Sequence, residues 1–489
     1  MKEVKVTAGP IEPFVELVGR APVDAVKRLA ADIRDRMGSR AIWNINSTAA
    51  GGGVAEMLRS LLRYARGVDV DVRWLVIDGP PEFFAITKRI HNALHDSPGD
   101  GTPLGPAQAS LYEHVMHDNV VALDAFVRPG DIVICHDPQT AGLVPHLLKR
   151  GALVTWRCHI GFDGHTDEVE RGWQFLRKYL ERVPVAVFSR GAYAPSWLPS
   201  KRSVVLPPNI DPFSAKNQPL SDETVRALLG QVGLIDAPPT PGAATFRRED
   251  GSIGRVDHAA EVVRVGRPPS PETPLVVQVS RWDAMKDPLG VLEGFARLVA
   301  PEAPRDAELV IAGPAVDAVA DDPEGAQVFQ SVERAFRDLP RALRARVHLA
   351  LLPVDDVDEN AAIVNALQRH ATVIVQKSLM EGFGLTVTEA MWKRRPVVAS
   401  AIGGIQDQIR DGVDGVLLRN PRDLDELAQA TLRLLSDEAF ATRIGHAGYE
   451  RVRDNYLALS ALERWGELVQ QQILAAEPRR FASQPHSTP

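Results

Sequence analysis

The strongest constraint on this chain is an alternation. Short apolar, β-branched runs take turns with longer amphipathic ones, and the series runs through the chain twice. Such alternation points to parallel sheets covered by helices, an α/β class. In the first series we expect strands at 41–46, 70–77, 131–135, 153–158, 184–188 and 203–206, with helices at 54–66, 108–126, 140–150 and 168–182. In the second we expect strands at 275–280, 307–312, 346–351, 372–375, 396–399 and 415–417. Its helices should fall at 288–300, 325–338, 359–369, 386–394, 421–435 and 438–447. Two complete series imply two doubly wound domains facing one another.

The segment PPNIDPFS at 207–214 reads as the end of the first domain, and a helix is expected near 221–233. Residues 237–274 are proline-rich, and FRREDGSIGRV within them carries an Asp-Gly turn signal between extended residues. This stretch is either a hairpin flap near the cleft or a disordered linker. A last helix is expected at about 459–475. The expected division is a first domain at 1–215, a linker with the insertion at 216–274, a second domain at 275–457, a closing helix at 458–477 and a disordered tail at 478–489.

Composition removes some classes. A formal net charge of -7 over 489 residues argues against non-specific nucleic-acid binding, which needs a basic footprint. The N-terminus lacks the apolar core of a signal peptide, and no apolar run approaches the ~20 residues of a membrane span. The cytoplasm is the expected compartment. Cys135 and Cys158 each end an apolar run and are expected to be buried, reduced thiols.

Four stretches carry chemistry. The first is SLMEGFGLTVTEAMWKRRPVVAS at 378–400, read as loop, glycine turn, helix and strand. Gly382 and Gly384 let backbone approach a ligand, and the amides from Phe383 through Leu385 to Thr386 open a helix. A helix start is an anion site, suited to the phosphates of a sugar nucleotide. Glu381 can bond sugar hydroxyls, and Glu389 can hold a ribose diol. The second stretch is VVQVSRWDAMKDP at 276–288, where Arg281 and Lys286 follow a strand's C-terminal end. Arg281 offers a fork of donors to diphosphate oxygens and Lys286 a point charge, together suited to stabilising a leaving nucleotide.

The third stretch is NINSTAAGGGVAEML at 44–58, with Gly51, Gly52 and Gly53 between strand and helix. It suits close backbone approach to phosphate or sugar. It is not a dinucleotide fingerprint, because the third glycine position holds Glu56, which disfavours a nicotinamide dehydrogenase. The fourth pairs HDPQ at 136–139 with WRCHIGFDGH at 156–165. His136, Asp137 and His159 should lie at strand ends, with His159 placed to accept a sugar hydroxyl or orient an acceptor; Asp163 and His165 are weaker candidates. The D-x-D spacings Asp69-Val70-Asp71 and Asp356-Val357-Asp358 read as solvated turns, so no metal site is expected.

Together these stretches resemble the retaining glycosyltransferases of family 4, which have the GT-B fold of two Rossmann-like domains across a cleft. Glu381 and Glu389 match the family's E-x7-E signature, Arg281 and Lys286 its basic pair, and Asn209-Ile210-Asp211 the segment ending its first domain. Within the family the similarity is greatest to trehalose synthases of the glucosyl-transferring kind. It covers most of 40–455 and includes RWLVIDGPPEFFAITKRIHNALH, HDPQ, WRCHI, DDPEG and EGFGLTVTEAMW. Residues 161–165, the 237–274 insertion and the extended C-terminus depart from the family pattern.

The resemblance implies transfer of glucose from a nucleoside diphosphate glucose to glucose, making α,α-trehalose reversibly with retention and without a metal or other cofactor. It implies catalytic roles for His159, Arg281, Lys286 and Glu381, donor contacts at 382–386 and Glu389, and acceptor or phosphate contacts at Gly51–Gly53 and Asp137. The implied partners are small molecules, with neither nucleic acid nor membrane; homodimer formation is left open. Rival readings are a retaining trehalose phosphorylase, a family-4 transferase with another acceptor, and a sugar-nucleotide sensor without turnover.

Overall fold

The computed structural model describes residues 1–49, 52–99, 101–238, 240, 242–298, 306–316 and 323–476. Gly51 and the tail from 478 onward, expected to be disordered, lie outside the described residues. Two compact units are present. Of the described residues, the first comprises those of Met1–His159, of Thr166–Leu206 and from Leu459 onward; the second comprises those of Ile160–His165 and Pro207–Ala458.

The first unit is built on a seven-stranded sheet: β1 (Lys2–Val4), β2 (Ile42–Asn46), β3 (Val72–Val76), β4 (Ile132–His136), β5 (Leu153–Cys158), β6 (Val185–Phe188) and β7 (Ser203–Val205), in the order β1-β3-β2-β4-β5-β6-β7. Only β1 is antiparallel, pairing with β3 at the edge. Every residue of β2 and β4 is buried, as expected for central parallel strands covered on both faces. The order reverses between β2 and β4. In such sheets ligands bind beyond the strands' carboxyl ends at this switch point.

Two long helices of this unit were not anticipated. Arg20–Met37 buries Val23, Val26, Ala30, Ile33 and Met37, a helical stripe among many charges. Pro81–Leu94 starts on a proline in its first turn and occupies most of the stretch that carried the family resemblance. The helix expected at 140–150 is broken into Asp137–Thr140, Ala141–Leu143 and Val144–Lys149. Gly142 permits that break to pack closely: a Cβ there would lie 2.5 Å from Met116 Cγ. Ala458–Ala476 closes the unit, with Leu468 packed against Val187 and Leu206 and Gln470 Nε2 donating to Asp32 at 2.6 Å. Both cysteines are buried, and neither forms a disulfide.

A small hairpin precedes the second sheet: β8 (Thr245–Arg247) and β9 (Ile253–Arg255), antiparallel. Of the two readings of 237–274, the described residues 245–255 form the hairpin. It is also anchored within its unit: Arg248 pairs with Asp356 at 2.5 Å, and Glu359 accepts from the backbone of Asp257 and His258, each at 2.8 Å. The chain then enters the sheet as β10 (Glu261–Val263), an antiparallel edge strand on β13.

The second sheet continues with β11 (Leu275–Val279), β12 (Glu308–Pro314), β13 (Val347–Leu352), β14 (Val373–Gln376), β15 (Val397–Ser400) and β16 (Val416–Leu418). Its order, β10-β13-β12-β11-β14-β15-β16, reverses between β11 and β14. Segment 207–214, expected to end the first domain, groups with this unit; Ile210 N–H donates to Tyr456 O at 2.9 Å, and Ala458 N–H to Ile210 O at 2.9 Å. Among the described residues no helix is long and apolar enough to cross a membrane.

Candidate active site

In the second unit the expected residues gather at the switch point. The loop after β11 carries Arg281 and makes a short helical turn, Ala284–Lys286, capped by Asp283, whose Oδ1 accepts from Met285 N at 2.8 Å. The loop after β14 carries Ser378 and Glu381. Two bonds fix the loops. Leu379 N–H donates to Met285 O at 2.7 Å, and Gln278 Nε2 of β11 donates to Lys286 O at 2.8 Å. Lys286 Nζ then lies 2.5 Å from Glu381 Oε2, with the side chains 18% and 11% exposed. Ser378 Oγ donates to the same carboxylate oxygen at 3.3 Å. Arg281 lies on the same loop but is 64% exposed and pairs with Asp283 at 3.3 Å, not with Glu381.

Beneath this pair is one the sequence reading missed. Lys377, 1% exposed, contacts Asp287, whose backbone is left-handed at φ 49° and whose Oδ1 accepts from Gly290 N at 3.0 Å. A lysine closing the buried run Val373–Gln376 was the available signal, since a buried ammonium demands a partner.

The glycine turn is tightly held. Gly384 caps helix Leu385–Trp392 with φ 86°, a conformation open to glycine, and a Cβ there would lie 2.9 Å from Ile405 Cγ1. Gln408 bonds the carbonyls of Phe383 and Gly384 and accepts from Thr388 Oγ1 at 2.6 Å. The first amides of a helix have no intrahelical acceptor, so Leu385 and Thr386 direct theirs outward along the helix dipole. Glu389 lies one turn further, buried, with Lys216 Nζ 3.6 Å away. Asp163, a weak candidate, accepts from Gly403 N at 2.9 Å and Gln406 Nε2 at 2.6 Å, and Gly404 N–H donates to Gly382 O at 3.2 Å. The 161–165 loop thus braces the segment packed on the glycine turn through a contact no local pattern announced.

In the first unit the candidates again follow strand ends. Gly52, at φ 79°, caps helix Gly53–Gly67 after β2. Asp137 follows β4 with φ 62°, and its Oδ1 accepts from His159 N at 2.7 Å. Burial raises its carboxyl to about 7 against the pull of the His159 amide and Arg157. His136 and His159 are joined through their rings at 3.1 Å. Burial, with the nearby Arg157 charge, pushes His136 down to about 3 and His159 well below the usual histidine range. Arg157 is itself buried, lowered to about 10, with Nη2 donating to Ser189 Oγ at 3.1 Å.

The two D-x-D spacings are occupied by ion pairs. Asp69 meets Arg34 at 3.1 Å, Asp71 meets Arg73 at 2.8 Å, and Asp356 holds Arg248 while capping helix Val357–His370.

Residues 44–195 match the family described as trehalose synthase, N-terminal domain, and 263–451 match glycosyl transferases group 1. The trehalose synthase of Thermococcus litoralis is 34% identical over 459 residues, covering 94% of this chain and 96% of that protein. This chain belongs to the trehalose synthase family of glycosyltransferases. It is a hexosyltransferase, and its relatives place it in trehalose-related glycosyl transfer. A trehalose phosphorylase of Pleurotus pulmonarius is also similar, 25% identical over 93% of this chain but 60% of the relative. Among solved structures, an α,α-trehalose-phosphate synthase (UDP-forming) from Burkholderia vietnamiensis superposes with a TM-score of 0.64 at 16% identity, over 90% of this chain and all of that one. The trehalose synthase family member described here thus shares the GT-B fold, two Rossmann-like units whose switch points carry the clustered residues.

Proposed function

We propose that this trehalose synthase family member is a metal-independent retaining glucosyltransferase, making α,α-trehalose from a nucleoside diphosphate glucose and glucose in a reversible reaction. The observation that carries the reading is the Lys286–Glu381 pair beside the glycine turn that opens helix Leu385–Trp392. A diphosphate needs positive charge and N–H donors; a hexose needs a carboxylate acceptor. Both kinds of group stand at one switch point.

In this reading Lys286 and Arg281 neutralise the diphosphate, and the amides of Leu385 and Thr386 bind its oxygens along the helix dipole. Glu381 accepts from hexose hydroxyls while its second function is to orient the Lys286 ammonium. Glu389 receives the ribose diol. In the first unit His159 accepts a sugar hydroxyl, and the Gly51–Gly53 turn and Asp137 serve acceptor or phosphate contacts. The bond between the anomeric carbon and the diphosphate oxygen breaks as the acceptor hydroxyl oxygen bonds to the same face. The acceptor's proton passes to the leaving diphosphate. Negative charge grows on that group in the transition state, where fixed cations act most strongly. No resident cofactor is needed, because cationic side chains and a helix start take the place of a divalent ion.

The phosphorylase-type relative supports one second reading, in which inorganic phosphate takes the place of the nucleotide. The test is incubation with several nucleoside diphosphate glucoses and glucose, or with trehalose and phosphate, each with and without chelator. The expected result is an α,α-linked disaccharide with release of nucleoside diphosphate, unchanged by chelator. Glucose 1-phosphate formed from trehalose and phosphate, with no nucleotide-dependent product, would establish the second reading. A stringent Mg²⁺ requirement would overturn metal independence.

A further inference from the structure

Three polar side chains form a hydrogen-bonded chain in the first unit, with Asn44 and His136 buried and His159 half-buried. Asn44 lies within β2, His136 ends β4, and His159 follows β5; in the parallel register Asn44 faces Ile134 and His136 faces Arg157, so each member lies two residues beyond the strand partner of the one before. Asn44 and His136 are 3% and 2% exposed. His136 Nε2 lies 3.0 Å from Asn44 Oδ1, and His136 Nδ1 lies 3.1 Å from His159 Nε2. The two imidazole planes are within 13° of parallel.

The groups around this chain limit its protonation. Arg157 repels added positive charge, and the Asp137 carboxyl is engaged by the His159 backbone amide. Both rings are buried enough to stay neutral, so each carries one N–H. The order of donors then follows. Asn44 Oδ1 can only accept, so the proton of His136 sits on Nε2. His136 Nδ1 is left as a lone pair and accepts from His159 Nε2–H. The remaining ring nitrogen of His159, Nδ1, is left bare, with no hydrogen-bond partner among the described residues.

We infer that Asn44 and His136 are positioning residues that fix the tautomer of His159, so that it presents Nδ1 as a hydrogen-bond acceptor for a neutral sugar hydroxyl. The identity of that hydroxyl rests on the transferase reading; the tautomer does not. A bare nitrogen accepts from O–H and repels an anionic oxygen. The position therefore takes a hydroxyl and rejects a phosphate. Asn44 and His136 act through His159 and do not themselves touch the sugar.

The experiment is long-range ¹H–¹⁵N correlation on the full chain labelled at histidine ring nitrogens, at neutral pH and without substrate. His159→Gln and His136→Phe assign the two rings. The expected spectrum has both rings neutral, each protonated on Nε2 and bare on Nδ1. A proton on His159 Nδ1, or a charged ring, overturns the inference. In Asn44→Leu the acceptor is lost, and His159 is expected to populate both tautomers. Its kcat should fall about tenfold, the scale of one lost hydrogen bond, with little change in donor KM. An unchanged His159 spectrum in that variant also overturns the inference. If Asn44→Leu does not fold, the wild-type spectrum still decides. Should the expected tautomers be found in a protein that glucosylates no acceptor, the transferase reading fails while the relay stands.

Discussion

Removal of the Lys286 ammonium separates stability from catalysis. Lys286 and Glu381 are 2.5 Å apart and mostly buried, at 18% and 11% exposure. Deleting one partner of a fully buried pair costs about 3–5 kcal/mol, because the other charge is left without compensation. Here water can reach the vacated space, and Ser378 Oγ still donates to Glu381. The expected loss for Lys286→Ala is therefore about 2 kcal/mol. Replacing both charges, as Lys286→Met with Glu381→Gln, should return stability to within about 1 kcal/mol of the parent. Catalysis should behave otherwise. A fixed cation facing charge that grows in the transition state contributes on the order of 100- to 1000-fold in rate. Lys286→Ala should lose that factor, and the double variant should not regain it. Urea unfolding and steady-state transfer on the parent, both singles and the double give all the quantities. A double variant that recovers turnover with its stability would refute the assigned role. So would a Lys286→Ala enzyme within tenfold of the parent.

Two further expectations follow from the geometry. Gly384→Ala places a Cβ 2.9 Å from Ile405 Cγ1 at φ 86°, so the turn must shift at a cost of about 1–3 kcal/mol; donor KM should rise clearly in a still-folded protein, and an unchanged KM would remove the turn from the donor site. The second concerns acid. His136 falls from its unfolded value near 6.5 to about 3, so its contribution is complete above pH 6.5 and declines as pH falls toward 3. Asp137, raised to about 7, has the opposite sign, so the parent's dependence is shallow. Relative to His136→Phe, the parent should lose about 2 kcal/mol between pH 7 and 5, at ~1.4 kcal/mol per pH unit below 6.5. Parallel unfolding curves at the two pH values would refute the burial argument.

The core strands were legible in the sequence because a strand buried on both faces is mostly apolar, as in the Leu275–Val277 run of β11 and the Ile132–Cys135 run of β4. Helix Arg20–Met37 also carried its 3.6-residue stripe, but the charges around it hid the signal. The glycine turn and the cations at strand ends were legible too, since the backbone conformation and the loop position are local properties. Pairing was not. The Asn44–His136–His159 relay, the Lys377–Asp287 pair and the clamp of Gln408 on the glycine turn join residues from separate loops and strands.

The sequence by itself determined two parallel-sheet units and the chemical groups at the ends of their strands, because burial and backbone geometry act over a few residues. The tertiary structure alone decided which groups meet. Strand order, with its reversals between β2 and β4 and between β11 and β14, brings Lys286 to Glu381 across 95 residues of chain and anchors the 245–255 hairpin through Arg248 to Asp356. That order is set by how helices cross and pack, a non-local property that no single stretch of sequence encodes.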